Sequence, residues 1–316
     1  MNELFSMKEP DTNWTLDGVL PTSGLSIIAG KPKTGKSTFM RCLTMAVQAG
    51  APFMDRSTKL GPVLYFALEE KATEVRKHFE SLGADGHEEV RFYFGKPPGN
   101  RVQFLQTQIE EWNPSLIIID PVFRFFEVHD CNDYQEVNRV LTDLMDVARL
   151  TEAHIMCSHH MNKGGKGDAD GILGSTAIFG GVDTALMLMR NGEHRTLATT
   201  QRYGQDMPET ILRFDPQTRH ILGTSTKDEW SAASLRQSIL TIVKELGSCT
   251  EATILTVTKG RSEDLKRELR VLVESGHVQR HGSGFKGQPF SYNLPEFAGP
   301  HLGTPKAGPA FMPVEL

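Results

Sequence analysis

From residue 24 to about 222 the chain alternates short apolar runs with segments whose apolar residues recur three and four apart. Runs rich in β-branched and aromatic residues predict strands over Leu25–Ala29, Val63–Leu68, Val90–Phe94, Leu116–Ile119, Ile155–Ser158, Thr184–Met189 and Arg195–Thr200. The spacing of Phe39, Leu43, Ala46 and Val47 predicts a helix that stops at Gly50. Strands alternating with helices predict an α/β domain with a mostly parallel sheet. The pattern ends in the polar stretch GTSTKDEWSAAS, so residues 1–223 read as one domain and 224–234 as a linker. Leu235–Leu246, Thr253–Thr258 and Ser262–Ser275 then read as helices, and HVQRHGSGFKGQPFSYNL as two strands around a Gly-rich turn. That order predicts a small winged helix-turn-helix domain over 235–294, followed by a Pro- and Gly-rich disordered tail over 295–316.

Composition narrows the class. Hydrophobic residues at 39% and charged residues at 23% give the balance of a soluble globular protein. No apolar stretch reaches membrane-spanning length and MNELFSMKEP lacks the layout of a secretory leader, so the expected location is cytoplasmic, with no membrane partner. Cys42, Cys131, Cys157 and Cys249 are too scattered for a zinc site or a disulfide framework and read as reduced thiols. A formal charge of -5 excludes a generally basic nucleic-acid coat and leaves only local patches for DNA contact.

The strongest chemical signal is the run Gly30, Lys31, Pro32, Lys33, Thr34, Gly35, Lys36, Ser37, Thr38, set between the first strand and the first helix. Backbone N–H groups of such a loop wrap phosphates at the positive end of the helix, the Lys36 ammonium reaches the β- and γ-phosphates, and the Ser37 hydroxyl holds Mg²⁺. The run therefore predicts binding of a nucleoside triphosphate with Mg²⁺. Hydrolysis also needs a carboxylate on the metal and a base for water. Asp120 ends the apolar strand SLIIID and suits the first role, though it could also only cap the turn before Pro121. Glu69 and Glu70 end the run GPVLYFALEE at the carboxyl end of a strand, where ligands collect. Glu69 is expected as the base and Glu70 as surface of the next helix, although both could simply open that helix.

The strings DGVLPTSGLSIIAGKPKTGKST, GPVLYFALEE, LIIID and CSHHMNKGG, in that order, resemble the RecA-fold ATPases of the plasmid RepA and DnaB-like hexameric helicase group, over roughly residues 14 to 222. The resemblance implies a RecA-like P-loop core, ATP and Mg²⁺ as cofactors, Glu69 as catalytic base, and a γ-phosphate sensor within Ser158-His159-His160, with His159 expected ahead of His160. It implies an arginine finger at Arg202 in TQRYG, acting in the neighbouring subunit of a ring, with Thr200 standing where many relatives carry a second cation. It also implies a DNA-binding loop in MNKGGKGDADGILG, with Lys163 and Lys166. Arg124, Phe125 and Phe126 are a second candidate DNA surface, by stacking. In the small domain Arg261, Lys266, Arg267 and Arg270, with Arg280, His281 and Lys286 in the wing, would face DNA phosphates. The expected function is Mg²⁺-dependent ATP hydrolysis in a homo-oligomeric ring acting on single-stranded DNA, as in a replicative helicase, with replication or recombination proteins as partners. A recombinase-like or loader ATPase, and an ATP-switched DNA-binding regulator, remain the alternatives.

Overall fold

A computed structural model describes residues 13–128, 133–160 and 180–295, apart from 193, 216, 219 and 286. The chain forms two compact units, dividing between Lys227 and Asp228.

In the first unit a short antiparallel pair, β1 (Trp14–Leu16) and β2 (Leu20–Pro21), precedes β3 (Leu25–Gly30), α1 (Lys36–Ala49), β4 (Val63–Ala67), α2 (Ala72–Glu80) and β5 (Val90–Phe94). There follow α3 (Arg101–Trp112), β6 (Leu116–Asp120), the single turn-and-a-half α4 (Val122–Phe126), α5 (Tyr134–Arg149) and β7 (His154–His160). Then come β8 (Thr184–Asn191), β9 (His194–Gln201), β10 (Thr210–Phe214) and β11 (Ile221–Thr226). Nine of these strands make one sheet in the order β11-β10-β9-β8-β3-β7-β6-β4-β5. From β8 to β5 every pairing is parallel, while β8, β9, β10 and β11 pair antiparallel.

The centre of the sheet is buried on both faces, which is why its central strands are almost continuously apolar in sequence. Because side chains alternate along a strand, β3, β4, β6, β7 and β8 feed both cores, whereas β9, β10 and β11 feed only the one that holds α1. Leu25 and Ile27 pack with Leu105 and Ile109 of α3 and Val137, Leu141 and Leu144 of α5. Ile28, Leu116, Ile118 and Met156 pack on the other side with Phe39, Met40 and Leu43 of α1 and with Phe79 of α2. Helix α1 stops where Gly50 takes φ 61° and returns its N–H to the Ala46 and Val47 carbonyls. Helix α5 starts where Asp133 accepts from the Gln135 and Glu136 amides.

The predicted strands are present to within a residue or two, and β1, β2, β10 and β11 are additional. The second unit contains most of α6 (Lys227–Leu246), then β12 (Cys249–Thr250), α7 (Glu251–Val257), α8 (Ser262–Glu274), β13 (Gln279–His281) and β14 (Ser291–Asn293). Its antiparallel sheet runs β12-β14-β13. Its core is Ile239, Val243, Ile254, Leu265, Leu269, Leu272, Val278 and Tyr292. Residues 224–234, expected as a linker, hold the end of β11 and the first two turns of α6, where the acidic Asp228 and Glu229 favour the helix start. Residues 296–316 of the expected tail lie outside the described residues. No described helix is long and apolar enough to cross a membrane.

Candidate functional site

The loop from Gly30 to Gly35 leaves the carboxyl end of β3, at the centre of the sheet, and enters α1. Two glycines are dictated by this path. A Cβ on Gly30 would lie 2.5 Å from the Leu188 carbonyl oxygen and 2.9 Å from Thr34 Oγ1, and Gly35 takes φ 105°, which side chains rarely adopt. Thr34 Oγ1 closes the loop by donating to the Lys31 carbonyl at 2.9 Å.

Lys36 is almost wholly buried at the start of α1. Its Nζ donates to the carbonyls of Gly30 at 2.8 Å and Lys31 at 3.2 Å and lies 3.2 Å from His160 Nδ1. Burial lowers its pKa, while Asp120 and Glu69 act in the opposite direction. Strand parity explains the cluster around it. Ile118 and Met156 face α1, so Asp120 and Ser158, two residues on, face it too, and so does His160. The Ser158 hydroxyl donates to Asp120 Oδ1 across the β6–β7 pair. Glu69 follows β4, with one carboxylate oxygen 3.7 Å from His160 Nε2 and the other 3.6 Å from Arg124. Ser37, half-buried, occupies the first turn of α1. A hydroxyl and a carboxylate are hard oxygen donors of the kind Mg²⁺ takes alongside phosphate oxygens and water, so Ser37 and Asp120 fit that ion.

Three expectations change. His159 is 4% exposed, lies edge-on to Phe123 with ring centres 4.9 Å apart, and is held neutral by burial, which lowers its pKa to about 4. It belongs to the face of β7 that carries Ile155 and Cys157, away from Lys36, and His160 takes the position expected for it. Glu70 is not helix surface: α2 begins at Ala72, and Glu70 pairs with Arg41 of α1, whose side chain is 6% exposed. Phe125 is fully buried and so cannot stack on a base, Phe126 is half-buried against the same core, and Arg124 faces Glu69. Arg202 follows β9, an inner strand between β8 and β10.

Arg202 also lies far from the phosphate loop. Gln201 pairs with Thr184, which is level with Ser26 at the amino end of β3. There Arg202 donates to the Gly180 carbonyl at 2.8 Å and approaches the fully buried Asp183 at 3.6 Å, which Arg149 contacts at 2.6 Å. The opposite end of β9 was not anticipated. Arg195 donates from Nε to the Thr34 carbonyl at 2.7 Å. Together with Gly35, Thr38, Arg41, Leu212 and Phe214 it lines a cavity of about 250 Å³ beside α1.

Lys163 and Lys166 lie outside the described residues, as does Lys286. In the second unit Lys266 pairs with Glu251 at 3.5 Å, and Arg267 with Asp264 at 3.0 Å and Glu268 at 2.9 Å. Arg261, before α8, makes no ion pair among the described residues.

A family model described as an AAA domain matches residues 1–166, just over half of the chain. The match spans the phosphate loop, Glu69, Asp120 and the end of β7, and stops short of Arg195 and Arg202. No curated protein matches the chain.

Proposed function

Since the chain belongs to the AAA domain family, whose members are P-loop ATPases of AAA/RecA-like type, we propose that it hydrolyses ATP with Mg²⁺ as a ring-shaped homo-oligomer acting on single-stranded DNA, in the manner of a replicative helicase. The observation that carries the reading is the convergence of Lys36, Asp120, Ser158, His160 and Glu69 on the Gly30–Thr38 loop, at the carboxyl ends of parallel strands.

In this reading the loop amides and Lys36 bind the polyphosphate, and the cavity beside Thr38 takes the nucleoside end. Lys36 leaves its own loop carbonyls for the phosphate oxygens. Mg²⁺, held by Ser37 and Asp120, would neutralise phosphate charge when bound. Glu69 orients the attacking water and accepts its proton, and His160, between Glu69 and Lys36, reports the γ-phosphate to the segment that follows β7. Arg202 supplies positive charge to the site of a neighbouring copy. Lys163 and Lys166 contact DNA in the channel, and the second unit serves as a winged helix whose Arg261, Lys266 and Arg267 approach DNA phosphates.

The test is the ATPase rate with and without single-stranded DNA, measured beside the mass of the assembled particle. Glu69→Gln should keep ATP binding and lose at least about 100-fold in turnover, the scale of a general base. Wild-type turnover in Glu69→Gln removes Glu69 from the mechanism, and the absence of both DNA stimulation and assembly removes the helicase-like reading.

A further inference from the structure

The cations near the phosphate loop are mostly engaged: Lys36 with loop carbonyls, Arg41 with Glu70, Arg124 with Glu69. Arg195 is arranged differently. Its Nε is committed to the Thr34 carbonyl, and the side chain crosses so close to the loop that a Cβ on Gly35 would lie 3.2 Å from it. The two terminal nitrogens carry the remaining N–H donors of the guanidinium. Among the described residues none of those donors has an acceptor and the charge has no carboxylate; the nearby Glu193 lies outside them. Arg195 is half-buried and lines the same cavity as Gly35, which caps α1, and Thr38, in the first turn of that helix. Those terminal donors are open to solvent rather than buried, so an incoming anion can reach them and replace water with charge-assisted hydrogen bonds, about twice as strong as neutral ones.

We propose that Arg195 contacts the polyphosphate of the nucleotide bound in its own chain, as a second cation beside Lys36. The proposal rests on the nucleotide-binding reading above and adds a residue that lies beyond the matched family segment. The charge comes from the start of β9, brought to the loop by the antiparallel pairing of Arg195 with Arg190 and of Leu197 with Leu188, whose carbonyl faces Gly30.

The experiment is calorimetric titration of the full chain with two probes, Mg·ADP and Mg·tripolyphosphate, the second lacking any nucleoside. Lys36→Ala should weaken both. Arg195→Gln, whose amide can still donate to the Thr34 carbonyl, should weaken both in parallel by about 10- to 100-fold, with the nucleotide-free unfolding midpoint unchanged. Arg195→Lys, which keeps the charge, should recover most of the loss. If Lys36→Ala weakens neither probe, the phosphate-loop reading itself fails. If Lys36→Ala weakens both and Arg195→Gln neither, only the Arg195 proposal fails. Loss of ADP binding alone in Arg195→Gln assigns the residue to the nucleoside and overturns the proposal, as does a loss in Arg195→Lys equal to that in Arg195→Gln.

Discussion

His154 lies wholly inside the sheet, with Nδ1 donating to the Pro21 carbonyl at 2.7 Å and Nε2 accepting from Ser26 Oγ at 2.7 Å. Burial lowers its pKa to about 4, from an ordinary value of 6.5. Between those two values the unfolded chain binds a proton that the folded chain does not, so stability falls as pH drops from about 6.5 to about 4. At 1.36 kcal/mol per pKa unit the full effect is about 3 kcal/mol. Urea unfolding between pH 7 and 4 should show this slope, to which His159 adds a similar part, and His154→Gln should reduce it by about half while lowering stability at pH 7. An unchanged slope in the variant would exclude His154 as its source. The neighbouring pair at the end of β7 shows what a sequence withholds at this scale. His159 and His160 must point to opposite faces of the strand, but which face meets the nucleotide depends on where α1 packs, a fact absent from the string SHH. The same applies to Arg195, an ordinary strand-start residue until the β8–β9 pairing brings it against Thr34.

Among the elements, α1 and the turn after β4 are tied together by Arg41 and Glu70. The Arg41 side chain is 6% exposed and that of Glu70 32%, so the pair stands between the exposed class, about 0–1 kcal/mol, and the buried class, where losing one partner costs about 3–5 kcal/mol. Glu70→Ala strands the buried guanidinium and should cost about 2–3 kcal/mol in unfolding free energy. It should also loosen Glu69, one residue away, so turnover should fall more than nucleotide affinity does. A variant with wild-type stability would show that Arg41 finds water or another acceptor. The strands that carry the site were legible because both faces of the central sheet are covered and its runs are almost wholly apolar, as in Leu25–Gly30, Ser26 apart, and Leu116–Ile119. Strands β10 and β11 were not. Ile211 and Leu212 are buried but Arg213 and Phe214 are exposed, and a short, half-polar run beyond the parallel core carries little periodicity. Residues 224–234 misled for a related reason: their polar composition belongs to an exposed helix start rather than to a linker.

At the scale of the molecule, the sheet has its phosphate chemistry at the carboxyl ends of the parallel strands and the Asp183 cluster at the amino ends. Strand β9 runs between them, from Arg195 beside Thr34 to Gln201 beside Thr184. At about 3.3 Å per residue that is about 20 Å, well beyond the reach of one side chain. Arg202 cannot therefore serve the nucleotide of its own chain, and any part it has in hydrolysis is played in another copy. Its tie to Asp183 means that Arg202→Ala also takes a cation from a buried carboxylate, so the nucleotide-free unfolding midpoint has to be compared before a loss of turnover is assigned to chemistry. A reaction centre completed by a second molecule behaves unlike a self-sufficient one on dilution. Each isolated chain should still bind ADP, but below the concentration at which copies associate, turnover per chain should decline with every further dilution. Constant turnover per chain across a series that takes the particle down to single chains would show that Arg202 is not needed. A declining one would make catalytic rate a readout of how crowded the molecules are.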